Sequence, residues 1–144
     1  MQNYLSFCSF AITIHLDSLN NMRTECKSDF IQLNDKRYPC TVSLAMDLIG
    51  GKWKAVILYH LKDADKRYSE LGKEMPSVTE RTLSLQLKQM EEDGLVYRTV
   101  YGEKPPIKVI YGLTEFGRSC IPLLNAILQW GNEVAEQRGE FVDG

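Results

Sequence analysis

At Gly94 the spacing of apolar residues changes from about 3.6 to 2, and this switch restricts the possible folds more than any other feature of the chain. Upstream, Met75-Pro76-Ser77-Val78-Thr79-Glu80 is a strong break. Ser77 and Glu80 stand in capping-box spacing, which predicts a helix beginning at Ser77 and running to about Asp93. On a helical projection Leu83, Leu87 and Met90 form one stripe. Arg81, Leu85, Lys88 and Glu92 fall opposite, flanked by Thr82 and Gln89. Downstream, Leu95 to Tyr101 is rich in β-branched and aromatic residues and reads as a strand. Gly102-Glu103-Lys104-Pro105-Pro106 makes a turn, and Ile107 to Leu113 returns as a second strand.

Helices precede this unit and follow it. Val42, Leu44, Ala45, Leu48 and Ile49 give a short amphipathic helix that Gly50-Gly51 ends. Residues 52–62, KWKAVILYHLK, suit a buried helix of three turns, and Tyr68 to Met75 forms another short one holding Leu71 inside. Thr114 can cap a long final helix to about Arg138, with Pro122 either kinking it or marking where it restarts. Three helices followed by a two-stranded hairpin is the order of a winged helix-turn-helix. The predicted fold class is therefore mainly α with a small β-hairpin. Phe116, Ile121, Leu124, Ile127, Leu128, Trp130 and Val134 supply more apolar surface than one small domain covers, so dimerisation through the terminal helices is expected. Folding back over the chain's own core is compatible with that reading.

Charge has to be mapped rather than totalled. Seventeen basic against nineteen acidic residues give −2, which by itself argues mildly against a nucleic-acid partner. Residues 52–118 carry twelve basic and ten acidic side chains, however, and residues 119–144 one basic and four acidic. A positive middle and an acidic end suit a protein that turns one face to an anion. With 44% hydrophobic and 25% charged residues, the composition excludes a wholly disordered chain, a collagen-like repeat and a multi-span membrane protein.

The chemistry-bearing residues are sparse. Cys8, Cys26, Cys40 and Cys120 form no C-x-x-C pair, so neither a structural zinc site nor any cofactor is expected, and a reduced, cytoplasmic setting is the default. His15 and His60 lie in unrelated apolar segments, with no nucleophile–base motif or phosphate-cradling loop, and an enzyme is not indicated. The run Tyr4–Leu16 is too short to span a membrane and lacks the basic flank of a secretory signal. It either packs on the domain or a partner chain, or lies upstream of a true start at Met22. The organisation read from the sequence is an N-terminal extension of unknown role (1–37), a main domain (38–133) and a tail (134–144).

Particular residues carry a family likeness. Cys40 followed by Ile49-Gly50-Gly51-Lys52-Trp53-Lys54, then Arg67-Tyr68-Ser69-Glu70-Leu71, Thr79-Glu80-Arg81-Thr82-Leu83-Ser84 and Gly94-Leu95-Val96, resembles the HxlR-type winged helix-turn-helix transcriptional regulators of the MarR-like superfamily. Pro105-Pro106, Tyr111-Gly112-Leu113-Thr114-Glu115-Phe116-Gly117 and Trp130-Gly131 complete the pattern, which runs from about residue 38 to 133. One departure is Ile107-Lys108-Val109-Ile110, where the pattern has a shorter strand with a carboxylate before the tyrosine.

The resemblance implies a bacterial dimeric regulator, most simply a repressor, that binds a pseudo-palindromic operator in double-stranded DNA near its own gene. It implies that the helix after Ser77 enters the major groove. Arg81 is then the first candidate for a base or phosphate contact, with Thr82, Lys88 and Gln89 next and Leu85 placed for a thymine methyl. Ser77 and Thr79 would meet a phosphate at the helix start. Lys104 and Lys108 in the hairpin, and Lys52 and Lys54 beside the Gly-Gly turn, would meet backbone phosphate or the minor groove. The alternative for each is a solvated surface residue. Many members answer to electrophiles, oxidants or small metabolites, some through a cysteine where Cys40 stands. Here Lys36, Arg37 and a helix start favour a thiolate. Cys120 is a candidate intersubunit partner, and the alternative for Cys40 is a buried, inert side chain. The rival to a DNA-binding regulator is a winged-helix module that contacts proteins alone.

Overall fold

The computed structural model describes residues 30–140 and 142; the apolar run Tyr4–Leu16, Met22 and the residues Cys8, His15 and Cys26 lie outside them. The chain divides into two compact units, Met1–Ala45 and Met46–Gly144. In order, the elements are β1 (Ile31–Leu33), β2 (Lys36–Tyr38), α1 (Thr41–Ile49), α2 (Lys54–Leu61), β3 (Lys66–Arg67), α3 (Tyr68–Glu74), α4 (Glu80–Glu92), β4 (Val96–Tyr101), β5 (Lys108–Leu113), α5 (Glu115–Arg118) and α6 (Ile121–Arg138).

In the first unit β1 and β2 form a two-stranded antiparallel hairpin in which Leu33 pairs with Lys36. Its two-residue turn contains Asn34, one of the few non-glycine residue types that tolerate its φ of 53°. All of this hairpin but Tyr38 falls inside the segment read from the sequence as an N-terminal extension of unknown role (1–37).

The second unit is a winged helix-turn-helix. Its core gathers Ile57, Leu58 and Leu61 of α2, Leu71 of α3, Leu83, Leu87 and Met90 of α4, and Leu113 of β5, all fully or nearly fully buried. Each such aliphatic side chain contributes about 1.5–3 kcal/mol on leaving water. The stripe Leu83-Leu87-Met90 therefore faces inward as its spacing predicts, and Leu85 on the opposite face is 52% exposed.

α4 begins later than Ser77. Its N-cap is Thr79, whose Oγ1 accepts the Thr82 backbone N–H at 3.2 Å. The predicted Ser77–Glu80 capping box does not form. Val78 packs half-buried against the core and its N–H donates to the Met75 carbonyl at 3.0 Å, closing a turn through Pro76 and Ser77. That turn leaves Ser77 exposed in the loop and brings Thr79, in extended backbone, to the helix start.

α4 ends at Gly94, whose φ of 76° suits a residue without a Cβ. Its N–H donates to the Glu91 carbonyl at 3.0 Å, and Leu95 drops into the core. β4 and β5 then pair antiparallel from Val96↔Leu113 to Tyr101↔Lys108. β5 is central, because β3 pairs with its other edge through Lys66↔Tyr111 and Arg67↔Ile110. The sheet thus has three strands where the sequence suggests two.

The final helix is two helices. Thr114 caps α5, accepting the Gly117 N–H at 3.0 Å, and its hydroxyl also lies within hydrogen-bonding reach of the Gly94 and Leu95 carbonyls. Pro122 stands in the first turn of α6, where no intrahelical N–H is required, so it marks a restart rather than a kink. Leu124 turns into the core, whereas Leu123, Ile127, Leu128, Val134 and, at 68%, Trp130 stay exposed. Among the described residues no helix is long and apolar enough to cross a membrane.

Candidate nucleic-acid interface

The second unit carries a helix face and a hairpin that meet across a cleft. On α4, Arg81, Ser84, Leu85 and Lys88 are exposed, while Thr82 and Gln89 flank them half-buried. Lys88 Nζ lies 3.9 Å from Glu92 Oε1, a loose i,i+4 pair at the surface. The hydroxyls of Thr79 and Thr82 are 2.9 Å apart, so the N-cap is built from two threonines that bind each other. Pro76 and Ser77 are exposed just ahead of this turn. At the tip of the β4–β5 wing, residues Gly102 to Ile107, Lys104 included, are exposed throughout.

Between α4 and the wing lies a cleft of about 480 Å³. Arg67, Arg98 and Lys108 line it, together with the hydroxyl-bearing Ser69 and Ser84. None of these three cations enters an ion pair among the described residues. Lys108 Nζ sits 5.7 Å above the Tyr101 ring, which steers it without neutralising it. Among the described residues no carboxylate lines the cleft, so it is a positive recess beside the outward face of α4. Arg67 and Arg98 are missing from the sequence-based set. They stand 31 positions apart on β3 and β4 and become neighbours only because β5 joins both strands.

Tyr68 forms the wall next to them. Its hydroxyl donates to the Glu80 carbonyl at 3.0 Å, which ties α3 to the first turn of α4, and burial raises its phenol above the ordinary range. Tyr97, on the wing, donates to Asp65 at 2.5 Å, and that bond to a carboxylate raises its phenol too. Away from the cleft, His60 is half-buried. Its Nδ1 lies 2.9 Å from Glu74 Oε2, and Lys66 Nζ lies 2.6 Å from the same oxygen. The hydrogen bond from Lys66 is the main cause holding the Glu74 carboxyl below its usual range.

The two lysines beside the Gly-Gly turn differ. Lys52 is exposed, with its ammonium 4.9 Å from the centre of the Trp53 ring. Lys54 donates to the Asp47 carbonyl at 2.8 Å and lies 3.8 Å from the Asp93 carboxylate, with only 11% of its side chain exposed. Its ammonium is committed to the fold.

Cys40 is buried and stands just before α1. Its carbonyl accepts the Leu44 N–H at 3.2 Å, and its Sγ lies 3.4 Å from the Ser43 N–H, so the sulfur occupies the acceptor position of an N-cap. The guanidinium of Arg37 lies 4.9 Å from the Phe30 ring centre. Cys120, half-buried ahead of α6, donates its thiol to the Gly117 carbonyl at 2.9 Å, and burial raises its pKa above the ordinary thiol value. Among the described residues no group of three His, Cys, Asp or Glu side chains could hold a metal ion.

The family model for the HxlR-like helix-turn-helix matches residues 48–139, which include α4, the wing and the final helices. The chain belongs to the HxlR-like helix-turn-helix family. This HxlR-like chain is 46% identical over 98 residues to the HTH-type transcriptional regulator YdeP of Bacillus subtilis (strain 168), covering 68% of its own length and 76% of the relative's. It is 48% identical over 92 residues to YybR of the same strain, covering 64% and 73% of the two chains. Among solved structures it is similar to the redox regulator HypR in its oxidized form, with 46% identity, a TM-score of 0.61, and 65% of this chain and 96% of that one covered. The reduced form of the transcriptional regulator YodB from B. subtilis gives 32% identity and a TM-score of 0.53, with 72% and 98% covered.

Proposed function

We propose that this chain is a cytoplasmic, sequence-specific DNA-binding repressor that works as a homodimer on a pseudo-palindromic operator and acts by binding rather than by catalysis. The observation that carries this reading is the positive cleft between α4 and the wing, with three unneutralised cations beside an exposed polar helix face. In this arrangement α4 enters the major groove. Arg81 reads a base edge, Thr82, Lys88 and Gln89 flank it, and Leu85 meets a thymine methyl. Arg67, Arg98 and Lys108 take the phosphates of the adjoining strand, while Lys104 reaches the minor groove from the wing tip. Ser77 and Thr79 approach a phosphate ahead of α4, and Lys52 meets the backbone farther out. Lys54 belongs to the fold instead. The regulator module spans residues 38–133, with 134–144 as a tail and 1–37 as an appendage of separate role. The exposed stripe of α6, with Trp130 at its centre, is the surface on which a second copy fits.

We infer that Cys40 is the sensing thiol and Cys120 its candidate partner across the dimer, since relatives of this fold include the redox regulator HypR. Alkylation or oxidation of Cys40 would remove the sulfur from its place at the start of α1 and release the operator.

Fluorescence anisotropy on the chain's own upstream DNA tests the reading. Binding is expected to be salt-sensitive and to protect two half-sites about 10–10.5 bp, or a multiple, apart. Arg81→Ala is expected to cost about 1–3 kcal/mol and to relax one base position. Absence of salt-dependent binding, or a footprint on one asymmetric half-site, would refute it. For the thiol, release of DNA by diamide or a quinone is expected to disappear in Cys40→Ser, and unchanged release in that variant counts against Cys40.

A further inference from the structure

We infer that Asp65 and Tyr97 are positioning residues for DNA contact: their bond, laid across β5, holds the two edge strands and thereby sets the spacing of Arg67 and Arg98. The role in DNA contact rests on the regulator reading above, whereas the bond itself does not. Asp65 immediately precedes β3, and Tyr97 lies in β4, on the other side of the central strand. The Tyr97 hydroxyl donates to Asp65 Oδ2 at 2.5 Å. It can reach that far because Gly112, its partner on β5, has no side chain in the way. A Cβ built on Gly112 would collide with Asp65 Oδ1 and with the ring and hydroxyl of Tyr97.

β3 has two residues and two pairings to β5, so its ladder alone holds it weakly. The bond to Tyr97 secures its leading end. Arg67 closes this short strand, and Arg98 follows Tyr97 directly. Successive strand residues face opposite sides of a sheet, which puts Tyr97 behind Arg98. Neither Asp65 nor Tyr97 lines the cleft, whereas Arg67 and Arg98 both do. The pair therefore acts on DNA through the two arginines, whose separation decides whether both meet phosphates at once.

Three variants of the full chain break the bond from different sides: Tyr97→Phe, Asp65→Ala and Gly112→Ala. The methyl added in Gly112→Ala meets only side-chain ends, which can swing away while β5 stays in place. Each variant is expected to bind upstream DNA about tenfold more weakly, the size of one lost charged contact. Each should also lower the salt slope by ~0.9 per subunit, which a loss of stability alone does not do while the protein stays folded. Asp65→Asn, whose amide oxygen still accepts the phenol proton, should keep the wild-type slope. Combining Tyr97→Phe with Gly112→Ala should cost no more than either alone.

Without DNA, NMR of tyrosine labelled at Cζ reads the bond. The hydrogen bond to Asp65 is the main cause raising the Tyr97 phenol, with burial and Tyr101 adding to it and Arg118 opposing. Asp65→Ala should bring its titration down, and an unchanged titration overturns the bond. A wild-type salt slope in every folded variant overturns the positioning role, as does an Asp65→Asn protein no better than Asp65→Ala. A loss confined to Tyr97→Phe overturns it too, because the hydroxyl would then meet DNA itself. Failure of the wild-type chain to bind DNA overturns the regulator reading instead, and leaves the phenol titration standing.

Discussion

Substituting methionine for Lys54 keeps most of the aliphatic stem and removes the ammonium, which separates two roles a lysine beside the Gly-Gly turn could have. If Lys54 neutralises phosphate, the variant loses salt dependence by ~0.9 in log–log slope for each contact removed and keeps its melting temperature. The structure predicts the reverse. At 3.8 Å the attraction to Asp93 is roughly 4 kcal/mol in a partly shielded setting, before desolvation is deducted. The Asp47 carbonyl also loses its charged donor, a contribution of about 1.5–3 kcal/mol in its own right. Allowing for the desolvation both charges already bear, a net loss of about 2 kcal/mol is expected. At roughly 4–8 °C per kcal/mol for a domain of this size, the melting temperature should fall by about 10 °C. Thermal unfolding followed by circular dichroism measures this directly. A parallel Asp93→Asn variant and the double mutant isolate the pair, and the double should be less destabilised than the sum of the singles. A Lys54→Met protein that melts with the wild type and binds DNA with a shallower salt slope would refute the assignment.

Three further outcomes follow from other sites. Arg98→Gln should reduce the salt slope by ~0.9 per subunit while leaving the melting temperature within about 1–2 °C, because the side chain is exposed and unpaired among the described residues. Gly117→Ala should destabilise by about 1–3 kcal/mol or more in urea unfolding, since the added Cβ would lie 2.0 Å from the Leu95 carbonyl oxygen and the backbone must move to admit it. A wild-type urea midpoint in that variant would contradict the close approach. Cys120 should be alkylated more slowly in the folded chain than in denaturant at neutral pH, and the ratio should approach one as pH rises through the raised pKa and the thiolate forms. Peptide mass spectrometry reads this residue separately, and a folded rate equal to the denatured one at neutral pH would contradict the shift.

Where local pattern determined structure, the sequence was sufficient. Leu83, Leu87 and Met90 had to share a face whatever surrounded them, and Gly94 had to end their helix. Thr114 likewise shows its capping role in its own spacing to Gly117. The features that escaped are those decided at a distance. Ser77 stands in capping-box spacing to Glu80, and the anchoring of Val78 in the core moves the cap to Thr79. β3 is only two residues long, too short for any period, and exists because the free edge of β5 accepts it. Arg67 and Arg98 read as ordinary surface cations for the same reason. The turn residue Asn34 between Leu33 and Lys36 was the one available signal of the β1–β2 hairpin, and it is weaker than a glycine-containing turn.

The Thr114 hydroxyl also determines where this chain can change length. It reaches the carbonyls of Gly94 and Leu95 and receives the N–H of Gly117, while Gly117 itself leaves no room against Leu95. The two ends of the wing are thereby clasped at fixed register, and a residue inserted or deleted at either end would break the clasp and misalign both helices. The tip from Gly102 to Ile107 has no such tie to a neighbouring helix and is exposed along its whole length. Loop grafts, tags and altered wing lengths belong there, where they would change the reach of the wing without moving α4.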